Sequence, residues 1–257
     1  MKTLQQRIEA ANAEGRVARI PFLTAGFPTP ERFPRILREL DECGADIIEV
    51  GVPFSDPVAD GPVVEDASRR ALEQGVTLKG IMQTLAGLKP RLKAGLVLMG
   101  YYNPFLQYGL DRLAADAAEV GVQGLVVPDL PLDEDEPLRR ALEARKLDLI
   151  PLVGVNTDED RMRAYARRAT GYVYVVSVLG TTGVRQDMSQ AAAGALDRAR
   201  KIFSLPVALG FGIRNPDQLA AMPVKPHAAV FGSALLRHLD SGGSAREFMA
   251  PWERARK

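Results

Sequence analysis

Eight short apolar runs recur along the chain, each followed by a longer stretch of helical periodicity, and no other feature restricts the fold so tightly. The runs are ARIPFLTA from Ala18, ADIIEVG from Ala45, GLVLMGYY from Gly95, GLVVPD from Gly124, LDLIPLV from Leu147, YVYVVS from Tyr172, PVALGF from Pro206 and HAAVFG from His227. Being almost continuously apolar, they read as strands covered on both faces, the condition of a parallel sheet wrapped in helices. Amphipathic segments of helix length lie at 30–43, 78–92, 110–118, 135–145, 158–169 and 189–203. Asn215 and Pro216 supply the cap and first-turn proline of a further short helix. Strand and helix in eightfold alternation predict a (β/α)8 TIM barrel.

Two additions decorate that plan. Residues 3–12 read as a helix ahead of the first strand, placed to close the bottom of the barrel. Residues 64–74, ended by Gly75, read as an extra helix after the second strand, so the loop between them is enlarged, and long loops in compact domains are often functional. A barrel of this class needs roughly 250 residues, and the 257 present predict a single domain over 1–257. A doubly wound nucleotide-binding sheet is the competing architecture, but no G-x-G-x-x-G follows the first strand and no G-x-x-x-x-G-K-[ST] loop occurs.

Charge and cysteine content narrow the function. Lys plus Arg number 33 against 32 Asp plus Glu, so no overall field draws the chain to nucleic acid or to an anionic membrane. Arg161, Arg163, Arg167 and Arg168 sit at helical spacing without stacking aromatics and read as a solvated helix face. Cys43, the sole cysteine, excludes an intramolecular disulfide and falls in the apolar pattern of a helix, as a buried thiol. His227 and His238 have no cysteine partner at zinc spacing, so no metal site is expected. The first 16 residues hold no apolar signal core and no run approaches the ~20 residues of a membrane span, so a cytoplasmic protein is expected.

In such barrels the chemistry sits at the C-terminal ends of the strands. Glycines cluster there at 180–183, at Gly210 and Gly212, and at Gly232-Ser233, where a helix opens; together they suit a phosphate held by backbone N–H groups. Glu49 lies within the apolar run IIEVG, where an unpaired carboxylate is costly. Facing the barrel interior near its mouth, it would have a raised pKa and could move protons near neutrality. Asp60, in the enlarged loop, offers a second carboxyl, while Asp129, between Pro128 and Pro131, suits a hydrogen-bonding role in a turn. Phe22, Tyr101, Tyr174 and Phe211 could border a flat apolar ring.

The stretch IEVGVPFSDPVADGP, with TAGFP, YYNP, VVPDLP, GYVYVVS, GTTG, LGFGI and FGSAL following in order over nearly the whole chain, resembles the tryptophan synthase α subunit family. The resemblance implies retro-aldol cleavage of indole-3-glycerol phosphate to indole and glyceraldehyde 3-phosphate, a lyase step in tryptophan biosynthesis. It implies Glu49 as the acid/base at indole C3 and the glycerol hydroxyl, and Asp60 as the acceptor of the indole N–H. By the same likeness Gly183, Gly212, Gly232 and Ser233 hold the phosphate, Phe22, Tyr101, Tyr174 and Phe211 border ring and glycerol, and Thr182 helps the site close and orients Asp60. No cofactor is implied in this chain; pyridoxal phosphate belongs to a β subunit partner, facing the loop at 54–56 in an α2β2 assembly. The chain departs from the family's common residues at Glu65, Val155-Asn156 and Thr181, and its loop after Gly183 is shorter. A stand-alone indole-3-glycerol-phosphate lyase, a noncatalytic paralogue that activates a β partner, and another phosphate-binding barrel remain the alternatives.

Overall fold

The computed structural model describes residues 2–176, 185–210 and 212–254, with only the backbone of 185–190. All strand pairs among these residues are parallel. The strands are β1 (Ala18–Thr24), β2 (Ile47–Gly51), β3 (Gly95–Met99), β4 (Val122–Val126), β5 (Asp148–Ile150), β6 (Leu152–Gly154), β7 (Val173–Val176), β8 (Val207–Gly210) and β9 (Ala228–Phe231). They lie in the order β5-β4-β3-β2-β1-β9-β8-β7-β6. The two ends of that order, β5 and β6, are separated in the chain by Pro151 alone.

The expected fifth strand is therefore two ladder segments. β5 pairs with β4 and β6 pairs with β7, so one bent stave changes neighbours at Pro151 and the barrel closes through the chain itself. Proline has no N–H to give to a ladder, but the Pro151 carbonyl accepts from Tyr174 N at 3.0 Å and starts the second half. The eight staves of the sequence reading are present, one of them broken.

The helices are α1 (Leu4–Ala13), α2 (Phe33–Glu42), α3 (Pro62–Glu73), α4 (Leu78–Gly87), α5 (Tyr102–Tyr108), α6 (Leu110–Val120), α7 (Glu136–Glu143), α8 (Glu159–Ala166), α9 (Arg185–Ile202), α10 (Pro216–Ala220), α11 (Ser233–Asp240) and α12 (Ala245–Arg254). A capping box starts α1: Thr3 Oγ1 accepts from Gln6 N at 3.2 Å, and Gln6 Oε1 accepts from Thr3 N at 3.0 Å. Its buried Leu4 packs beside Gly95 and Gly124, at and near the N-terminal ends of β3 and β4, so α1 does close the barrel's bottom. The extra helix after β2 is α3, and Asn215 caps α10 by accepting from Gln218 N at 3.2 Å.

Several boundaries depart from the sequence reading. The helix expected over 78–92 ends at Gly87, because Lys89 precedes Pro90 and is pushed out of helical geometry. The strand expected to run through Tyr101-Tyr102 stops at Met99, and α5 begins at Tyr102, where Asp129 Oδ1 accepts the Tyr102 N–H at 2.9 Å. Pro104 falls in the first turn of α5, where its missing N–H costs no helical bond. At the end of the described chain, α12 buries Trp252, whose ring stacks on Phe231 at 4.1 Å between centroids.

Most isolated polar residues serve the structure. Cys43 is buried at the end of α2, and burial raises its thiol pKa. His227 Nδ1 accepts from Val207 N at 2.9 Å, and His238 Nε2 lies 3.1 Å from the Ser244 carbonyl. The basic face of α8 is solvated as expected, with Arg163 pairing Glu159 at 2.9 Å and Arg168, just past the helix, reaching Asp135 at 3.5 Å. Beneath the barrel, Asp46 ties the turn after α1 to the start of β2. Its carboxylate receives Arg16 Nη1 at 2.6 Å, Arg16 Nη2 at 2.9 Å and the Arg19 backbone N–H at 2.8 Å.

With 14% and 12% side-chain exposure, the Arg16–Asp46 pair is sheltered enough for its loss to matter. Asp46→Ala leaves the Arg16 guanidinium with Glu14 alone, 2.8 Å from its Nε, and strips the Arg19 N–H of its acceptor; it is expected to cost about 1–3 kcal/mol of unfolding free energy, read as a lower urea midpoint at unchanged slope.

Candidate active site

The C-terminal ends of the strands surround a cleft of about 340 Å³. Phe22 of β1, Tyr174 of β7, Gly212 after β8 and Gly232-Ser233 after β9 line it, and Asp60, Pro62 and Val64 reach it from the enlarged loop and α3. The expected residues Phe22, Tyr174, Asp60, Gly212, Gly232 and Ser233 thus share one chamber. Thr182, Gly183 and Phe211 lie outside the described residues, as does Thr181.

Glu49 sits in the middle of β2, in register with Phe22 of β1 and Val97 of β3, and is 0% exposed. Its Oε1 accepts from the Tyr172 hydroxyl at 2.6 Å, whereas Oε2 is buried without a partner. Desolvation pushes the carboxyl up to about 8, although the Tyr172 hydrogen bond works in the opposite direction. Glu49 is therefore mostly protonated at neutral pH, as an acid held beneath the cleft. Tyr172 was not anticipated as part of the site. It stands two residues before Tyr174 on β7, so strand alternation sends both rings to one side.

Asp60 is partly exposed at the cleft wall. Burial raises its pKa to about 6; a hydrogen bond with Tyr101 opposes the shift, and the nearby charge of Glu65 adds to it. Glu65 therefore acts on one of the two expected catalytic carboxyls, Asp60. Tyr101 is buried and lines a smaller recess with Asp60 and Phe22 rather than the main cleft. Its hydroxyl accepts from Ala59 N at 2.9 Å, and its ring lies 5.2 Å from that of Phe54. In this way Tyr101 pins both ends of the enlarged loop and presents Asp60. Asp129, which holds Tyr102 N, acts in the turn as expected.

The wall at the ends of β9 and β8, two and three strands along from β2, is built for an anion. Gly212 has φ +85°, a left-handed conformation that favours glycine. Gly232 is the residue before α11, and a Cβ there would approach Phe22 Cδ1 to 2.8 Å, so a side chain would crowd the aromatic wall. No side chain caps α11, and the first helical bond runs from Leu236 N to the Gly232 carbonyl, so Gly232, Ser233 and Ala234 present the helix N-terminus to the cleft. Such a terminus carries roughly +0.5 charge and favours an anion. The sequence reading also missed Arg214 and Arg237, which line the same wall. Both are isolated polar residues in glycine-rich or helical contexts, where sequence offers no sign of a shared cleft.

Two carboxyls of unlike pKa, with an anion cradle on the same mouth, suit proton transfer on a phosphorylated substrate. Comparison with known proteins identifies the family. The family model described as tryptophan synthase alpha chain matches residues 8–253. The tryptophan synthase alpha chain of Nitratidesulfovibrio vulgaris is 65% identical over 249 residues, covering 97% of each chain. That of Desulfovibrio desulfuricans is 62% identical over 255 residues, covering 98% of this chain and 100% of the relative. Among solved structures, tryptophan synthase subunit alpha from Legionella pneumophila superposes with a TM-score of 0.88 at 29% identity, over 100% of this chain and 97% of the other. Mycobacterium tuberculosis tryptophan synthase gives a TM-score of 0.89 at 33% identity, over 98% and 96%. The chain belongs to the tryptophan synthase α chain family, whose reaction is the cleavage of indole-3-glycerol phosphate.

Proposed function

We propose that Glu49 and Asp60 divide the proton chemistry of indole-3-glycerol-phosphate cleavage between them. The observation that carries this reading is the difference in their surroundings: Glu49 is wholly buried and raised to about 8, and Asp60 is partly exposed and raised to about 6. Near neutral pH the first is an acid and the second a carboxylate. Protonated Glu49 gives its proton to indole C3, which turns the ring into an electron sink. Its carboxylate then takes the proton of the adjacent glycerol hydroxyl as the carbon–carbon bond breaks, and the bond's electron pair returns to the ring. Indole and glyceraldehyde 3-phosphate leave, and Glu49 is again protonated. Asp60 accepts the indole N–H and stabilises the positive charge that develops on the ring, an interaction stronger in the transition state than in the ground state.

Glu49 reaches the cleft from beneath, by exchanging its Tyr172 bond for the substrate; the buried, unpartnered Oε2 supports such a move, since that position satisfies only one of its oxygens. Phe22 and Tyr174 border the substrate, Tyr101 holds Asp60 in position, and the phosphate rests on Gly212, Gly232 and Ser233. Thr182, Gly183 and Phe211 complete the site by family likeness. None of these steps calls for a cofactor in this chain. The loop after β2 meets a pyridoxal-phosphate β subunit in an α2β2 assembly, a reading supported by membership of the tryptophan synthase α chain family. No described helix is long and apolar enough to cross a membrane, and a cytoplasmic location fits the small water-soluble substrate.

Removing a well-placed acid/base costs about 10²- to 10⁴-fold, so Glu49→Gln is expected to lose indole release by that amount while keeping its fold; equal activity would sink this mechanism. The pH dependence of kcat/KM is expected to be bell-shaped, falling below about 6 as Asp60 takes up a proton and above about 8 as Glu49 loses one. Because the Tyr172 hydrogen bond favours ionised Glu49, Tyr172→Phe moves the alkaline limb to higher pH, whereas Asp60→Asn removes the acidic limb. Added β subunit should raise turnover and co-elute with the chain on a sizing column; high unassisted turnover with no complex would favour a stand-alone lyase.

A further inference from the structure

We propose that Arg214 and Arg237 form a cationic clamp that selects the charged phosphate end of the substrate, supplementing the backbone cradle at Gly212, Gly232 and Ser233. The inference rests on the assignment of indole-3-glycerol phosphate as substrate. A charge balance motivates it. A phosphate monoester brings about −1.5 to −2 charges near neutrality, and a helix N-terminus offers only about +0.5. The ionised Asp60 on the same cleft adds a like charge. Neutral glycines and a serine cannot close that deficit, and two guanidiniums do.

The positions fit the task. Arg214 and Arg237 line the cleft on the wall that carries Gly212, Gly232 and Ser233. Arg237 follows Ser233 by four residues on α11, one helical turn along the same face. Arg214 stands on a loop whose backbone is fixed from outside: Arg214 N donates to Gln218 Oε1 at 2.6 Å, and Gln218 Nε2 donates to the Gly212 carbonyl at 3.3 Å. The side chains of both arginines are exposed. Neither forms an ion pair among the described residues, whereas other arginines of the molecule are held by carboxylates, among them Arg70 by Asp240 and Arg139 by Glu143. Two unpaired cations on one wall of a cleft draw a dianion in and hold it by planar, charge-assisted hydrogen bonds.

The test uses Arg214→Gln, Arg237→Gln and the double variant in both directions of the reaction. Each single change is expected to raise KM for indole-3-glycerol phosphate, and for glyceraldehyde 3-phosphate in the reverse direction, by about 10-fold. The double variant should lose more, and the loss should fall on KM more than on kcat. The KM for indole, which carries no phosphate, should stay within about twofold, and the salt dependence of kcat/KM should flatten. Arg→Lys at either position should recover part of the loss. Unchanged KM for the phosphorylated reactants would overturn the clamp, as would an equal rise in KM for indole, which signals a general disturbance of the cleft. Calorimetric binding of glycerol 3-phosphate separates this idea from the one beneath it. Weaker binding by the double variant upholds the clamp even if the wild type cleaves no indole-3-glycerol phosphate. Equal binding rejects it even if the wild type does.

Discussion

A parallel sheet leaves two unpaired edges until it returns on itself, and in this protein the return is made within residues 148–154. Pro151 breaks the ladder there and lets one stave face β4 with its first half and β7 with its second. Closure creates an interior shielded from water on every side, and it brings the C-terminal ends of the strands to one mouth. The depth of Glu49, the aromatic wall and the anion cradle all depend on that geometry. An open sheet with the same strands would leave Glu49 hydrated and its pKa ordinary.

Depth within the barrel then separates two chemically similar groups. Glu49 lies below the cleft, hydrogen-bonded by the Tyr172 phenol, and desolvation dominates it. Asp60 arrives from above on a loop tied down by Tyr101 and stays closer to water. The protein thus obtains an acid and a carboxylate from two carboxyl side chains by setting how much water each retains. The ends of β8 and β9 follow the reverse logic, setting a helix N-terminus, Arg214 and Arg237 on the same cleft. Strand, loop and helix each contribute ionisable groups to the mouth: Glu49 from β2, Asp60 and Arg214 from loops, and Arg237 from α11.

Much of this arrangement was readable in the residues. Glu49 announced itself because a carboxylate in IIEVG conflicts with its surroundings, and such conflicts mark functional positions. Asn215-Pro216 carried a helix start in its side-chain chemistry. Tyr172 gave no such signal, since an aromatic in a strand is ordinary, and only its 2.6 Å approach to Glu49 gives it a role. Tyr102 misled in the other direction: its β propensity extended a strand on paper, but Asp129, distant in sequence, supplies the hydrogen bond that starts a helix there. Arg214 and Arg237 are likewise unremarkable until the fold sets them on one wall.

The sequence by itself determined the alternation of strand and helix, the two added helices, the acidic pair and the glycines of the mouth. Those features are local, written in periodicity, capping chemistry and the cost of a misplaced charge. Tertiary structure alone decided where the barrel closes, which tyrosine holds Glu49, how far each carboxyl is removed from water, and which arginines share a cleft. These depend on distances between residues far apart in the chain, and desolvation and charge are set by everything within several ångströms in space, whatever its place in sequence.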